Sequence, residues 1–447
     1  MIQTIKKAWR IPELRKKILF TALIILICRL GAAIPVPFLN IGEGGILGSN
    51  TTTTATFLDY INMMSGDAFN FGTIFALSIT PYINSSIIIQ LLTVAIPALE
   101  RLSKEGEEGR KKIAKITRYT TVALGILQGT AYYVFLRSRD ALTATSSTFG
   151  EVFQAIAIIL ILTAGTAVTM WLGEQINDKG IGNGISIILF AGIVSRIPQY
   201  ATQIYGYMTF GGIYYALVPI AVVSLLLLVV FIVWMDNAER RIPVQYSKRV
   251  VGRKMYGGQS SNIPIKVNMS GVLPVIFASS ILSLPSTIQM FVNVDAESGW
   301  NTFFKVFTTE HWAYSIIYFV LIIFFAYFYS SIQYNPIEMA NNLAKNSGTI
   351  PGVRTGRPTS DYIARVISKI VLLGALLLSV VALFPILYSQ ITSLICTWAN
   401  QVGTDGTTGV SISLGGTSII ILVGVALETV RQLESQMMMR HYKGFLD

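Results

Sequence analysis

Three observations predict an all-α polytopic membrane protein with ten transmembrane helices. The first is composition: mean hydropathy is +0.59, with 52% apolar and 13% charged residues over 447 positions. The second is that, at about 20 residues per crossing, the apolar runs number ten: 18–36, 73–95, 116–136, 152–172, 184–204, 213–235, 269–292, 312–333, 367–388 and 412–430. The third is the placement of charge. Alternate segments, counted from the N-terminus, hold 29 of the 34 Lys and Arg residues, and the intervening segments hold 4, with Arg29 inside the first run. The positive-inside rule reads this split as two cytoplasmic ends, which requires an even number of spans. The net charge of +11 is therefore in part a topology signal, and ten spans exclude nucleic-acid binding as the primary role.

The elements follow in order. Residues 1–17 are a basic cytoplasmic segment, and the run after them is laid out as a signal peptide would be. Arg29 interrupts that run and it passes into Ile34-Pro35-Val36-Pro37 without an A-x-A-like site, so it reads as a retained helix. Residues 37–72 carry no Lys or Arg and form an external excursion. Its Gly- and Thr-rich opening, 42–56, is predicted to be irregular. The stretch from Phe57 to Gly66 then has the length of about two to three helical turns, too short to cross a bilayer. It either folds back into a funnel or lies flat at the interface as an amphipathic anchor.

The second run is a poor greasy anchor. Thr80, Asn84, Ser85, Ser86, Gln90 and Thr93 interrupt it, and Pro81 predicts a kink. Ile79, Ile83 and Ile87 recur every four residues, along one helical stripe. Such a stripe among amides and hydroxyls suits either a path that is wettable but closed by default, or a mid-bundle helix packed on polar neighbours.

A charged cytoplasmic loop, 96–118, leads into the third span. After the fourth, Gly180, Gly182 and Gly184 lack the G-x-G-x-x-G spacing and any Walker lysine, and a tight turn between helices explains them. Arg196 and Pro198 make the fifth run the weakest. In the cytoplasmic loop 236–268, seven basic residues face Asp236 and Glu239. Alternation from Ile242, with Gly257-Gly258 before Ile263, predicts a protruding β-hairpin. The loop 333–366 reads as a short helix followed by a Pro/Gly-rich tip bearing Arg354 and Arg357. Arginines on two protruding loops exceed what topology requires. They fit docking onto RNA phosphate or an acidic protein face, with contact to anionic lipid as the plainer role.

The seventh run, with Pro274, Pro285 and several serines among aliphatics, repeats the style of the second. Spans two and seven correspond if ten spans are two sets of five. Five is odd, so the halves, 18–205 and 206–430, are inverted relative to one another, with 431–447 as a cytoplasmic tail. Cys28 and Cys396 form no disulfide framework, and His311 and His441 are far apart, so neither a metal nor another cofactor is expected and no catalytic residues stand out. An ion-coupled secondary transporter with an inverted repeat is the alternative. Such proteins keep an Asp, Glu or His at mid-membrane, whereas the ionisable residues well inside these spans are Arg29 and Arg196.

Several runs together resemble the SecY family, the channel subunits of the bacterial general protein-secretion translocon. They are TPYINSSIIIQLL at 80–92, Gly173-Glu-Gln-Ile with KGIGNGIS at 179–186, Lys266-Val-Asn-Met with Gly271-Val-Leu-Pro, Asn335-Pro, Pro351-Gly-Val-Arg354 and Gly415-Gly-Thr-Ser418. Their order and spacing carry the resemblance from about residue 18 to the tail.

The resemblance implies an hourglass pore between two five-helix halves, narrowed by an aliphatic ring of Ile79, Ile83, Ile185, Leu189, Ile276 and Ile421. It assigns the external segment, about 57–70, as a plug, with Phe57, Leu58, Tyr60, Ile61, Met63 and Met64 as its apolar residues. Spans two and seven would form a lateral gate, with Asn84, Ile87, Gln90, Gln128 and Asn268 as contacts. Arg249, Arg253, Lys254, Arg354 and Arg357 would dock the ribosome or the SecA motor ATPase. Implied partners are the small subunits SecE and SecG, signal sequences, unfolded preproteins and anionic lipids, all at the cytoplasmic membrane. The implied function is a protein-conducting channel that also releases membrane segments sideways.

Overall fold

The computed structural model describes residues 2–41, 45–46, 62, 64–143, 147–209, 212–246, 249–251, 254–256, 260–269, 271–291, 306–307, 311–398 and 416–443. In chain order the helices are α1 (Ile2–Trp9), α2 (Pro12–Ala33), α3 (Thr80–Ala95), α4 (Pro97–Lys104), α5 (Glu107–Ser138), α6 (Thr148–Lys179), α7 (Gly184–Ser195) and α8 (Ile197–Thr209). They continue with α9 (Tyr214–Asn237), α10 (Leu273–Phe291), α11 (Trp312–Gln333), α12 (Pro336–Lys345), α13 (Arg357–Trp398) and α14 (Gly416–Lys443). Each of the ten predicted spans meets a helix, the fifth being α7 and α8 in succession. Among the described residues six stretches are long and apolar enough to cross a membrane unaided, and a seventh if α3 and α4, bent by 107°, count together. Of the others, α2 carries Arg29 and α5 is threaded with Thr, Gln and Tyr. The chain is an all-α polytopic membrane protein. Helix α9 shows why only lipid suits it: Ile220, Val223, Leu226, Leu227, Val230 and Trp234 all face outward, exposed.

Local chemistry sets the helix ends. Ser147 caps α6 by accepting from the Gly150 amide at 3.2 Å, and Asn183 caps α7 through the Ile185 amide at 3.1 Å. Of the three glycines before and at the start of α7, Gly182 alone takes a left-handed backbone, at φ +84°. Gly184 serves differently, because a side chain there would strike the Gly173 carbonyl and the two helices pack backbone to backbone. Pro97 drives the preceding Ile96 into an extended conformation, and the chain bends there between α3 and α4.

The second span departs from expectation. A kink at Pro81 was predicted, but residues 74–79 are turns and the helix begins at Thr80, with Pro81 in its first turn. A proline there costs nothing, since its missing N–H would be unpaired in any case. The irregular stretch before it is tolerated at membrane depth because protein covers it and its backbone is paired. Ile74 N donates to Ile34 O at 3.0 Å and Val36 N to Gly72 O at 2.9 Å. Gly165 of α6 lets the Ile74 carbonyl approach, where a Cβ would strike it.

Helix packing repeats across the chain. In the first half α3 packs on α5, α5 on α6, α6 on α7, and α3 more lightly on α6. In the second half α10 packs on α11, α11 on α13, α13 on α14, and α10 more lightly on α13. The same neighbours thus recur five spans later, and α7 against α14 joins the halves.

Among the described residues five strands form outside the apolar helices: β1 (Glu239–Tyr246), β2 (Arg249–Val251), β3 (Lys254–Tyr256), β4 (Ser260–Lys266) and β5 (Gly348–Thr349). The predicted hairpin is β1 against β4, antiparallel, with Ile242 opposite Ile263 and Val244 opposite Ser261. Strand β5 adds to the other edge of β1. The two cytoplasmic loops therefore share one sheet, seated on an apolar cluster of Ile242, Val244, Ile265, Leu343, Ile350 and Ile363.

Candidate functional site

The six aliphatic residues singled out by sequence converge. Ile79, Ile83, Leu189, Ile276 and Ile421 are buried members of one apolar cluster, and Ile185 packs against it partly buried. They come from α3 and its N-cap, α7, α10 and α14, so both halves contribute. Ile79 is the N-cap residue of α3 rather than part of its interior, and its carbonyl accepts from the Tyr82 and Ile83 amides at 3.1 Å each. Ile87 continues the stripe into the same cluster. Aliphatic side chains offer neither hydrogen bonds nor charge, so a junction built from them resists wetting and binds nothing polar strongly.

The described end of the segment assigned as a plug lies against this cluster. Phe57, Leu58, Tyr60, Ile61 and Met63 lie outside the described residues. Met64 is buried among the cluster's isoleucines. Asn62, Asp67 and Asn70 then form a compact polar knot: Asn62 Nδ2 donates to Asp67 Oδ1 at 2.7 Å, and the Asn70 amide donates to Asn62 Oδ1 at 3.0 Å. Tyr132 Oη of α5 donates to the Phe69 carbonyl at 2.6 Å. Both intramembrane arginines reach this region. Arg196 pairs with Asp67 at 3.4 Å, and Arg29 Nη1 donates to Ser195 Oγ at 2.9 Å beside Gly66. Sequence reading marked these arginines only as interruptions, since nothing in their spacing ties them to residue 67.

The polar residues expected at the gate are not hydrogen-bonded to one another. Asn84 and Gln128 are half-buried and Gln90 is exposed. Asn268 Nδ2 donates to Asp236 Oδ1 at 3.3 Å, at the end of α9, and Asp236 also faces Arg431 of α14 at 3.7 Å. Ser85, not selected from sequence, makes the buried bond on α3, donating to the Thr117 carbonyl at 2.8 Å. Among the described residues no packing between α3 and α10 matches that of α3 on α5 or α10 on α11.

Beyond strand β5, Arg354 and Arg357 stand exposed at a tip bounded by Gly352 and Gly356, both with left-handed backbones. A shallow hollow of about 310 Å³ opens there, lined by Arg354, Asp361, Tyr362 and Arg365. Arg249 and Lys254 sit on the paired strands β2 and β3, and Arg253 lies outside the described residues.

The SecY family model matches residues 73–430. The protein translocase subunit SecY of Streptomyces galbus is 44% identical over 454 residues, covering 100% of both chains. The subunit of the same name from Mycobacterium tuberculosis is 41% identical over 457 residues, again covering 100% of both. Among solved structures, one described as a protein conducting channel superposes with a TM-score of 0.58 at 16% identity, over 96% of each chain. Sec61 in a canine ribosome-channel complex gives 0.55 at 15% identity, also over 96% of each. These likenesses carry the fold, and the family match with its full-length relatives settles kinship: this chain belongs to the SecY family of protein translocase subunits.

Proposed function

We propose that this translocase channel conducts unfolded polypeptides through a throat formed by Ile79, Ile83, Ile185, Leu189, Ile276 and Ile421. The observation that carries the reading is that these side chains, drawn from four helices and from both halves, fall in or against one apolar cluster. A secreted chain presents every side-chain type in turn, and a lining without fixed polar partners lets each pass at similar cost. When empty, the same lining closes by dewetting. Residues 57–70 serve as the plug over it, and the relative whose plug domain is described as stabilising the closed state shares this fold with a TM-score of 0.59.

Helices α3 and α10 part to admit a signal sequence or release an apolar segment into lipid, a population shift driven by that segment's apolar surface. Among the described residues neither helix packs on the other as it does on its own neighbours α5 and α11, which leaves the seam free to open. The cytoplasmic arginines receive the ribosome or the SecA motor ATPase, and SecE and SecG complete the assembly in the cytoplasmic membrane, with both termini inside. A ribosome-bound relative of the same fold favours the docking surface. A photo-crosslinking residue placed at Ile83, or at Ile421, will capture a stalled preprotein, whereas one at the outward-facing Leu227 will not. Equal capture at all three positions would overturn the throat.

A further inference from the structure

We infer that Asp67, Arg196 and Arg29 form a latch on the base of the plug and set how strong a signal sequence must be to open the channel. The inference rests on reading residues 57–70 as the plug. Asp67 follows the candidate plug helix directly and is held at φ +70°, a left-handed conformation that aspartate adopts more readily than most residues. Its carboxylate accepts from the Asn62 amide at 2.7 Å and meets Arg196 Nη2 at 3.4 Å. The Asp67 and Arg196 side chains are only 12% and 15% exposed, so the pair is shielded from water and salt.

Arg196 sits at the break between α7 and α8, and Arg29 projects from α2. Arg29 Nη1 and Ser195 Oγ, bonded at 2.9 Å, close around Gly66, where a Cβ would strike both. The plug's base is thus held by the ion pair at the α7–α8 junction, with Arg29 of α2 bonded to Ser195 close beside it, while Met64 holds the same segment to the throat through apolar contact. The two contacts differ in what releases them. Apolar contact with the throat yields when an apolar signal segment enters, whereas the ion pair must be broken outright when the plug leaves. Its strength is therefore added to the opening threshold without altering the throat that the polypeptide crosses.

The test uses the full chain assembled with its partner subunits in membranes, with two readouts: resting ion leak, and export of a preprotein bearing a weakened signal sequence. Asp67→Asn and Arg196→Gln will each raise both by about tenfold, within the range measured for coupled charge pairs. Arg196→Lys, which keeps the positive charge, will bring both back towards the parent. The amount of chain in the membrane is followed alongside, so that a mere folding defect shows itself. Deletion of residues 57–61 separates the two readings. If the deletion leaks and the single substitutions do not, the latch is overturned and the plug stands. If the deletion is silent as well, both fall. Leak and export as large in Arg196→Lys as in Arg196→Gln likewise overturn the latch.

Discussion

The chain uses arginine in two opposite ways. Arg29 and Arg196 lie inside predicted spans and spend their charge on neighbours in the same chain, Ser195 and Asp67. Arg354 and Arg357 stand at a glycine-flanked tip, exposed, with no ion pair among the described residues. A guanidinium at membrane depth must be satisfied internally, because lipid offers no partner. One at a cytoplasmic tip can stay hydrated until an anionic partner arrives. The difference teaches where to look for function. On the proposed reading, inward-facing charge serves closure and outward-facing charge serves recruitment.

The largest expected effect tests recruitment. Arg354→Glu will lower preprotein export by about 30-fold or more, the scale of losing an interface hot spot, while the amount of chain in the membrane stays normal. Wild-type export in pulse-labelled cells would break the division between the two kinds of arginine. Next comes closure. Replacing Ile83, Ile185 and Ile276 together by serine will raise resting ion conductance by about tenfold or more, since a hydroxyl-lined constriction no longer dewets. Unchanged single-channel recordings would mean that the apolar cluster is not the seal.

A third effect is all-or-none within a panel. Cysteine pairs with one member between Ser86 and Gln90 and the other between Val275 and Leu282 will oxidise in the resting state, and export will stop in those that do. No crosslink anywhere in the panel would exclude α3 and α10 as the parting pair. The smallest effect concerns an internal polar contact that serves neither closure nor recruitment. Ser85→Ala removes the bond to the Thr117 carbonyl and will cost about 0.6 kcal/mol. A small fall in the thermal midpoint, with transport unchanged, would sharpen the contrast.

Much of the architecture was legible because lipid imposes a simple rule. Ten apolar runs, the charge split and the β1–β4 hairpin each follow from composition or from a period of two, and the structure places helices and strands where these signals fall. The path of the backbone was not legible in the same way. Hydropathy scored residues 73–95 as one continuous span, yet it cannot distinguish buried turns from helix, so Pro81 was read as a kink rather than a beginning. Strand β5 is two residues long, too short for any periodicity to reveal. The aliphatic stripe Ile79-Ile83-Ile87 was visible from spacing, but grouping it with Ile185, Leu189, Ile276 and Ile421 required the family resemblance. Asp67 and Arg196 lie far apart in sequence, and no local pattern links them.

The sheet shared by the two cytoplasmic loops has a mechanical consequence. Strand β1 is bonded to β4 on one side and to β5 on the other, so neither loop tip can be pulled without loading its neighbour. Strand β4 leads by a short link to α10, and β5 leads through the arginine tip to α13. The sheet is a rocker seated on one apolar bearing, and a tug at either tip is passed on towards α10 and α13.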